Sequence, residues 1–135
     1  MRIAVNKDNV RPISAHFKAK EFGCPCGCYG EIETNLIEKL EEVRVQYSKP
    51  IRITSGFRCQ AYQDDLKARG YETAIGISPH TLGIAADICP YDGKDVDVLA
   101  KLCENTFKAT GVGATFVHVD LRNDKERRWT YTKRT

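Results

Sequence analysis

Two of the chain's three histidines stand beside aspartates in segments with strand character. One segment is Ser78-Pro79-His80-Thr81-Leu82-Gly83-Ile84-Ala85-Ala86-Asp87, the other Phe116-Val117-His118-Val119-Asp120-Leu121-Arg122. Imidazole nitrogens and carboxylate oxygens are the donors that catalytic zinc takes, three from the protein with a fourth position left for water. His80, Asp87 and His118 would supply that set, with Gly83 turning the chain so that His80 and Asp87 converge. His118 and Asp120 are two apart on a strand and share a face, while Val117 and Val119 point the other way into a core. Taken alone, His118 reads as a satisfied or solvated side chain. The joint pattern of the two segments points to a metal. Upstream, Ser55-Gly56-Phe57-Arg58 adds a guanidinium at the end of a strand, a group whose planar fork suits carboxylates.

The elements that must position these residues are legible from periodicity. Leu36, Leu40, Val43 and Tyr47 recur at helical spacing after the N-cap candidates Thr34 and Asn35, and Pro50 stops that helix. Ile51 and Ile53 alternate with polar residues over 50–56, the period of a strand. A short polar helix over 60–69 closes at Gly70, a loop runs over 71–82, and Ile84 to Ile88 reads as a second strand. A third helix starts at Asp92 or Asp95 and buries Val96, Leu99, Cys103 and Phe107, with Gly111 just past its end. Phe116 to Leu121 is a third strand, and the tail with Trp129 and Tyr131 adds an edge strand. The order predicts an α+β fold: a small, mainly antiparallel sheet with helices packed against it. With 135 residues and no internal linker, the chain reads as a single domain. Residues 1–30 form an extended arm with a Cys-rich turn, and 31–129 form the functional core.

A formal net charge of +3 with interspersed signs excludes the basic stripe of a dedicated nucleic-acid binder, but would assist approach to a polyanion. No apolar run approaches membrane-spanning length, and MRIAVNKDNVRPIS has no apolar export segment. Cytoplasmic synthesis without a signal peptide, no membrane partner and a monomeric state are the expectations.

Ser-x-His-x-x-Gly-x-Ala-x-Asp followed by His-x-Asp, with the upstream Ser-Gly-Phe-Arg, resembles the zinc D-Ala-D-Ala carboxypeptidase and phage endolysin peptidases. That superfamily includes the vancomycin-resistance D-Ala-D-Ala dipeptidases and the hedgehog signalling domain. The resemblance covers about Phe17 to Trp129, and Cys-x-Cys-Gly-Cys looks like a phage- and prophage-associated branch. It implies one catalytic Zn2+ at His80, Asp87 and His118, Arg58 holding a substrate carboxylate, and Ser78 hydrogen-bonding the bound peptide. The implied substrate is a bacterial peptidoglycan stem peptide, cut by an endolysin acting on the cell wall after release, or by a virion component. Whether the enzyme is an endopeptidase or a carboxypeptidase stays open. Several relatives carry an acidic general base three residues before the last histidine, where this chain has Thr115. Asp120 is the substitute, as base or as the partner that orients His118, with Glu72 and Asp92 next in line. A zinc-stabilised binding domain without catalysis is the alternative function.

Six cysteines complete the inventory. Cys103 belongs to a helical core face, and Cys89 follows Asp87 by two and could line the site wall. A structural ion at Cys24, Cys26 and Cys28, perhaps with Cys59, is not expected, because the Cys-x-Cys spacing is tight and a fourth ligand is not obvious. Free thiols in a turn are the expectation. Arg122 is read as a solvent-facing strand end ahead of a substrate contact beside Asp120, and His16 as a surface or packing residue.

Overall fold

The computed structural model describes residues 1–71 and 77–131. Its centre is a five-stranded sheet in the order β3-β4-β6-β5-β7, built from β3 (Ile51–Ser55), β4 (Ala85–Pro90), β5 (Ala109–Val112), β6 (Val117–Asp120) and β7 (Arg127–Thr130). All neighbours are antiparallel except β5 and β7, which run parallel and make the sheet mixed. The helices are α1 (Thr34–Tyr47), α2 (Gln60–Ala68) and α3 (Val96–Thr106). The α+β expectation of a mainly antiparallel sheet with packed helices describes this architecture.

Alternation along the strands decides what each face does. Ile53, Ala86, Ile88, Val117 and Val119 join Leu36, Leu40, Val43, Leu99, Cys103 and Phe107 in one apolar core. Helices α1 and α3 pack on each other, and α3 lies against β4, β5 and β6. Burying aliphatic side chains of this size contributes about 1.5–3 kcal/mol each. The opposite face carries one row across all five strands, fixed by register: Ser55, Asp87, His118, Gly111 and Trp129.

Four sequence expectations change. The N-terminal arm is not simply extended: β1 (Arg2–Val5) pairs antiparallel with β2 (Gly30–Glu33), and a 3-10 turn at Ala19–Phe22 lies between them in the chain. The Thr34 hydroxyl does not cap α1 but donates to Met1 O at 3.3 Å, extending the tie between β1 and the helix start. Gly111 is not a helix stop, because α3 ends at Thr106, Phe107 turns extended, and Gly111 lies inside β5. Arg122 does not face solvent alone; its role belongs to the site below. No helix among the described residues is long and apolar enough to cross a membrane.

Candidate metal centre and cleft

Sheet register brings Asp87 and His118 side by side, since they are direct partners on β4 and β6. His118 Nδ1 lies 2.9 Å from Asp87 Oδ1. His80 reaches the same oxygen from the turn before β4, with Nε2 at 3.2 Å. That turn closes through Gly83, whose φ of +76° is left-handed backbone and whose missing Cβ leaves room for the Glu31 carbonyl. The three ligand atoms all lie within 4.8 Å of one another, and all three residues are buried.

Each donor is held from behind. The Gly56 carbonyl can only accept, so the 2.7 Å contact places the proton of neutral His80 on Nδ1 and leaves a lone pair on Nε2, facing Asp87. The His80 backbone N–H donates to Ser78 Oγ at 3.1 Å, and its carbonyl accepts from the Arg58 N–H at 3.3 Å. Asp87 turns its second oxygen to Arg58, whose Nη2 donates at 2.9 Å. His118 donates from Nε2 to Asp120 Oδ2 at 2.8 Å. Asp120 is fully buried and saturated, because Arg122 closes on it with Nε to Oδ1 and Nη2 to Oδ2, both 2.9 Å, and adds its own backbone N–H. The guanidinium also lies 5.7 Å from the Trp129 ring. The sequence reading of Arg122 as a solvated residue missed this fork, since a strand-end arginine two residues after an aspartate carries no signal of its own.

The electrostatics divide the two imidazoles. Burial, with the Arg58 charge adding to it, outweighs Asp87 and pushes the His80 pKa below its usual value. Burial also disfavours a charged His118, but hydrogen bonds to Asp120 and Asp87 on its two nitrogens win and raise it. Asp87 would be raised by burial, yet the two histidines hold it well below the usual carboxylate range. Asp120 is likewise opposed by burial and drawn down to about 2 by His118 and Arg122. Asp87 Oδ1 thus faces a nitrogen of each imidazole, His118 Nδ1 at 2.9 Å and His80 Nε2 at 3.2 Å. This donor set fits a zinc ion: two imidazoles and a carboxylate converge, and each is oriented by a further hydrogen bond.

Above the trio opens a cleft of about 410 Å³. Tyr62, Gln63 and Leu66 of α2 form one wall; Phe116, Trp129 and Tyr131 form the other. Trp129 reaches His118, with ring centroids 5.4 Å apart, because Gly111 lies beneath it in the sheet row. A Cβ at Gly111 would collide with the indole. Sequence reading gave Trp129 and Tyr131 only a place on an edge strand; their i, i+2 spacing was the available clue to a shared face. Arg58 and Ser78 line the cleft, as expected of groups that meet a ligand.

Other candidates lie elsewhere. Asp120 does not line the cleft, and Asp87 is the only carboxylate among the described residues that does. Thr115 is exposed and borders a second cavity of about 310 Å³, which Cys89 also lines and which shares Arg58 and Asp87. Asp92 accepts the Lys94 N–H at 2.9 Å in the turn before α3. Glu72 falls outside the described residues. Cys24, Cys26 and Cys28 are joined by Cys59, so the fourth thiol that the spacing did not reveal is present.

A single α+β domain with a buried His–Asp–His trio at the base of an open cleft has the form of a metal-dependent hydrolase. The family described as peptidase M15 matches residues 15–120, and the chain belongs to it. Its members are zinc-dependent metallopeptidases. No curated protein and no solved structure matches this chain.

Proposed function

We propose that this protein is a zinc peptidase that hydrolyses the stem peptides of bacterial peptidoglycan, serving phage or prophage lysis by acting on the cell wall after release from the cytoplasm, or as a virion component. The observation that carries this reading is the trio His80, Asp87 and His118 at the base of a cleft that also presents Arg58 and Ser78. Zinc bound there would polarise a scissile carbonyl and acidify water. The remaining work falls to the chain. Arg58 uses Nη2 on Asp87, while its Nη1 has only a 3.5 Å contact to Gln63, so this edge is available to a peptide carboxylate. Ser78 Oγ accepts from the His80 N–H and keeps its own proton to donate to a bound peptide. The Tyr131 hydroxyl, pushed up to about 12 by burial and by Asp87, stays protonated near neutrality and can donate to charge developing on the substrate. Trp129 and Phe116 shield the reacting bond from water. Asp120, saturated by His118 and Arg122, is assigned to holding His118 rather than to taking a proton from water.

A second reading is a zinc-stabilised binding domain without catalysis, favoured by the lack of a second carboxylate on the cleft among the described residues. Digestion of purified peptidoglycan, followed by mass spectrometry of the fragments with a chelator control, decides between them. New amino termini that vanish with the chelator support the peptidase. An unaltered wall in the presence of zinc-loaded protein removes it.

A further inference from the structure

A second cluster of metal-binding side chains lies outside the cleft. Cys24, Cys26 and Cys28 come from the loop after the 3-10 turn, and Cys59 comes from the residue before α2. Their sulfurs all lie within 4.8 Å of one another. Among them, Cys24–Cys26 lie 3.3 Å apart, Cys26–Cys59 3.5 Å and Cys24–Cys59 3.8 Å. A tetrahedron with Zn–S bonds of about 2.3 Å has S···S edges of about 3.8 Å. These sulfurs already stand near that spacing, and all four are free thiols rather than disulfides. An iron–sulfur cluster would need its thiolates spread around several irons.

We propose that Cys24, Cys26, Cys28 and Cys59 bind a second zinc ion, a structural four-thiolate site that clips the N-terminal loop to the segment carrying Arg58. The surroundings suit such a centre. Four thiolates around a divalent ion leave two negative charges, and the site lies at the start of α2, where helix N–H groups favour anions. The Cys59 N–H already points at Cys24 Sγ at 3.5 Å. Lys7 Nζ sits on the loop, 3.3 Å from Pro25 O, and Asn6 Nδ2 holds Gly27 O at 2.9 Å. Gly27, at φ +87°, makes the turn that lets Cys26 and Cys28 face the same point.

The clip has a direct route to the cleft. Phe57 N–H donates to Phe22 O at 2.8 Å, so the 3-10 turn that leads into the loop already shares a backbone bond with the 56–59 segment. That segment holds His80 twice, through Gly56 O and the Arg58 N–H. A metal tying Cys59 to the loop would fix this bracket from its far end.

Metal content of the full chain, purified without chelator from zinc-replete medium, tests the site independently of any hydrolysis. Wild type should carry two zinc ions per chain, and Cys59→Ser one. His80→Ala should also retain one, and cobalt exchanged into that variant should show intense thiolate-to-cobalt absorption. Its four clustered thiols should react with a disulfide reagent only after chelation. If Cys59→Ser does not fold, the His80→Ala metal count and thiol protection still decide. One zinc in wild type that His80→Ala abolishes, or cluster thiols that react equally fast without chelator, overturns the proposal.

Discussion

The trio in the cleft and the cysteine cluster both gather donors from distant segments, but they are built on different materials. Asp87 and His118 sit on adjacent central strands, and each donor is gripped by a residue that is itself fixed: Gly56 for His80, Arg58 for Asp87, Asp120 for His118. Three of the four cysteines sit in a loop whose hold on the fold is a handful of backbone and side-chain bonds. In one site every donor is oriented by a hydrogen bond from a neighbouring element; in the other the four thiols stand close together and the ion would add the bonds that join their loop to α2. In the first the protein shapes the metal's reactivity, whereas in the second the metal shapes the protein.

The sharpest way to break this contrast is at the cleft. His80→Ala should cost that zinc and lower hydrolysis about 1000-fold or more, since a Lewis-acid ion supplies several kcal/mol. Retention of full zinc content by this variant would remove His80 from the ligand set. Arg58→Lys comes next. A lysine keeps the charge but cannot span Ser55, Asp87 and Gln63 as the guanidinium does. Hydrolysis should fall about 10- to 1000-fold with zinc retained, and an unchanged kcat/KM would refute the carboxylate anchor.

Asp120→Asn probes the support behind the metal. If Asp120 holds His118, zinc affinity should drop about 10- to 100-fold and added zinc should restore much of the rate. Normal affinity with abolished turnover would instead return Asp120 to the role of base. For the cysteine cluster, Cys59→Ser should lower Tm by about 7 °C, equivalent to roughly 2 kcal/mol in a chain of this size. The ion in the cleft should stay in place. An equal loss of both ions would show that the two regions are one cooperative unit.

Acid titration of the zinc-free protein gives the smallest effect. The folded pKa of Asp120, about 2, lies below its ordinary value of 3.8, so the carboxylate stabilises the fold above about pH 4. On the order of 2 kcal/mol should disappear as pH falls toward 2. Denaturant titrations across that window should show a shallower loss for Asp120→Asn, and identical slopes would deny the buried carboxylate this part.

The face shared by His118 and Asp120 and the helical core were legible in the linear order of residues because both follow short periods, whereas the grouping of His80 and Asp87 with His118 came from the joint pattern of two distant segments and the family resemblance. Alternation put His118 and Asp120 on one face and Val117 and Val119 on the other, and 3.6-residue spacing marked the core faces of α1 and α3. Those rules act within a few residues, where backbone geometry alone decides which side chains are neighbours. Tertiary structure alone decided the rest. Ala-Thr-Gly-Val carries no strand alternation, and only pairing with β6 and β7 makes it β5 and turns Gly111 from a helix stop into the floor beneath Trp129. Cys59 joins Cys24, 35 residues upstream, and Arg122 folds back onto a carboxylate it could equally have left for solvent. In each case the partner is chosen by the closed fold, whose sheet register and buried volume bring together groups that no local period relates.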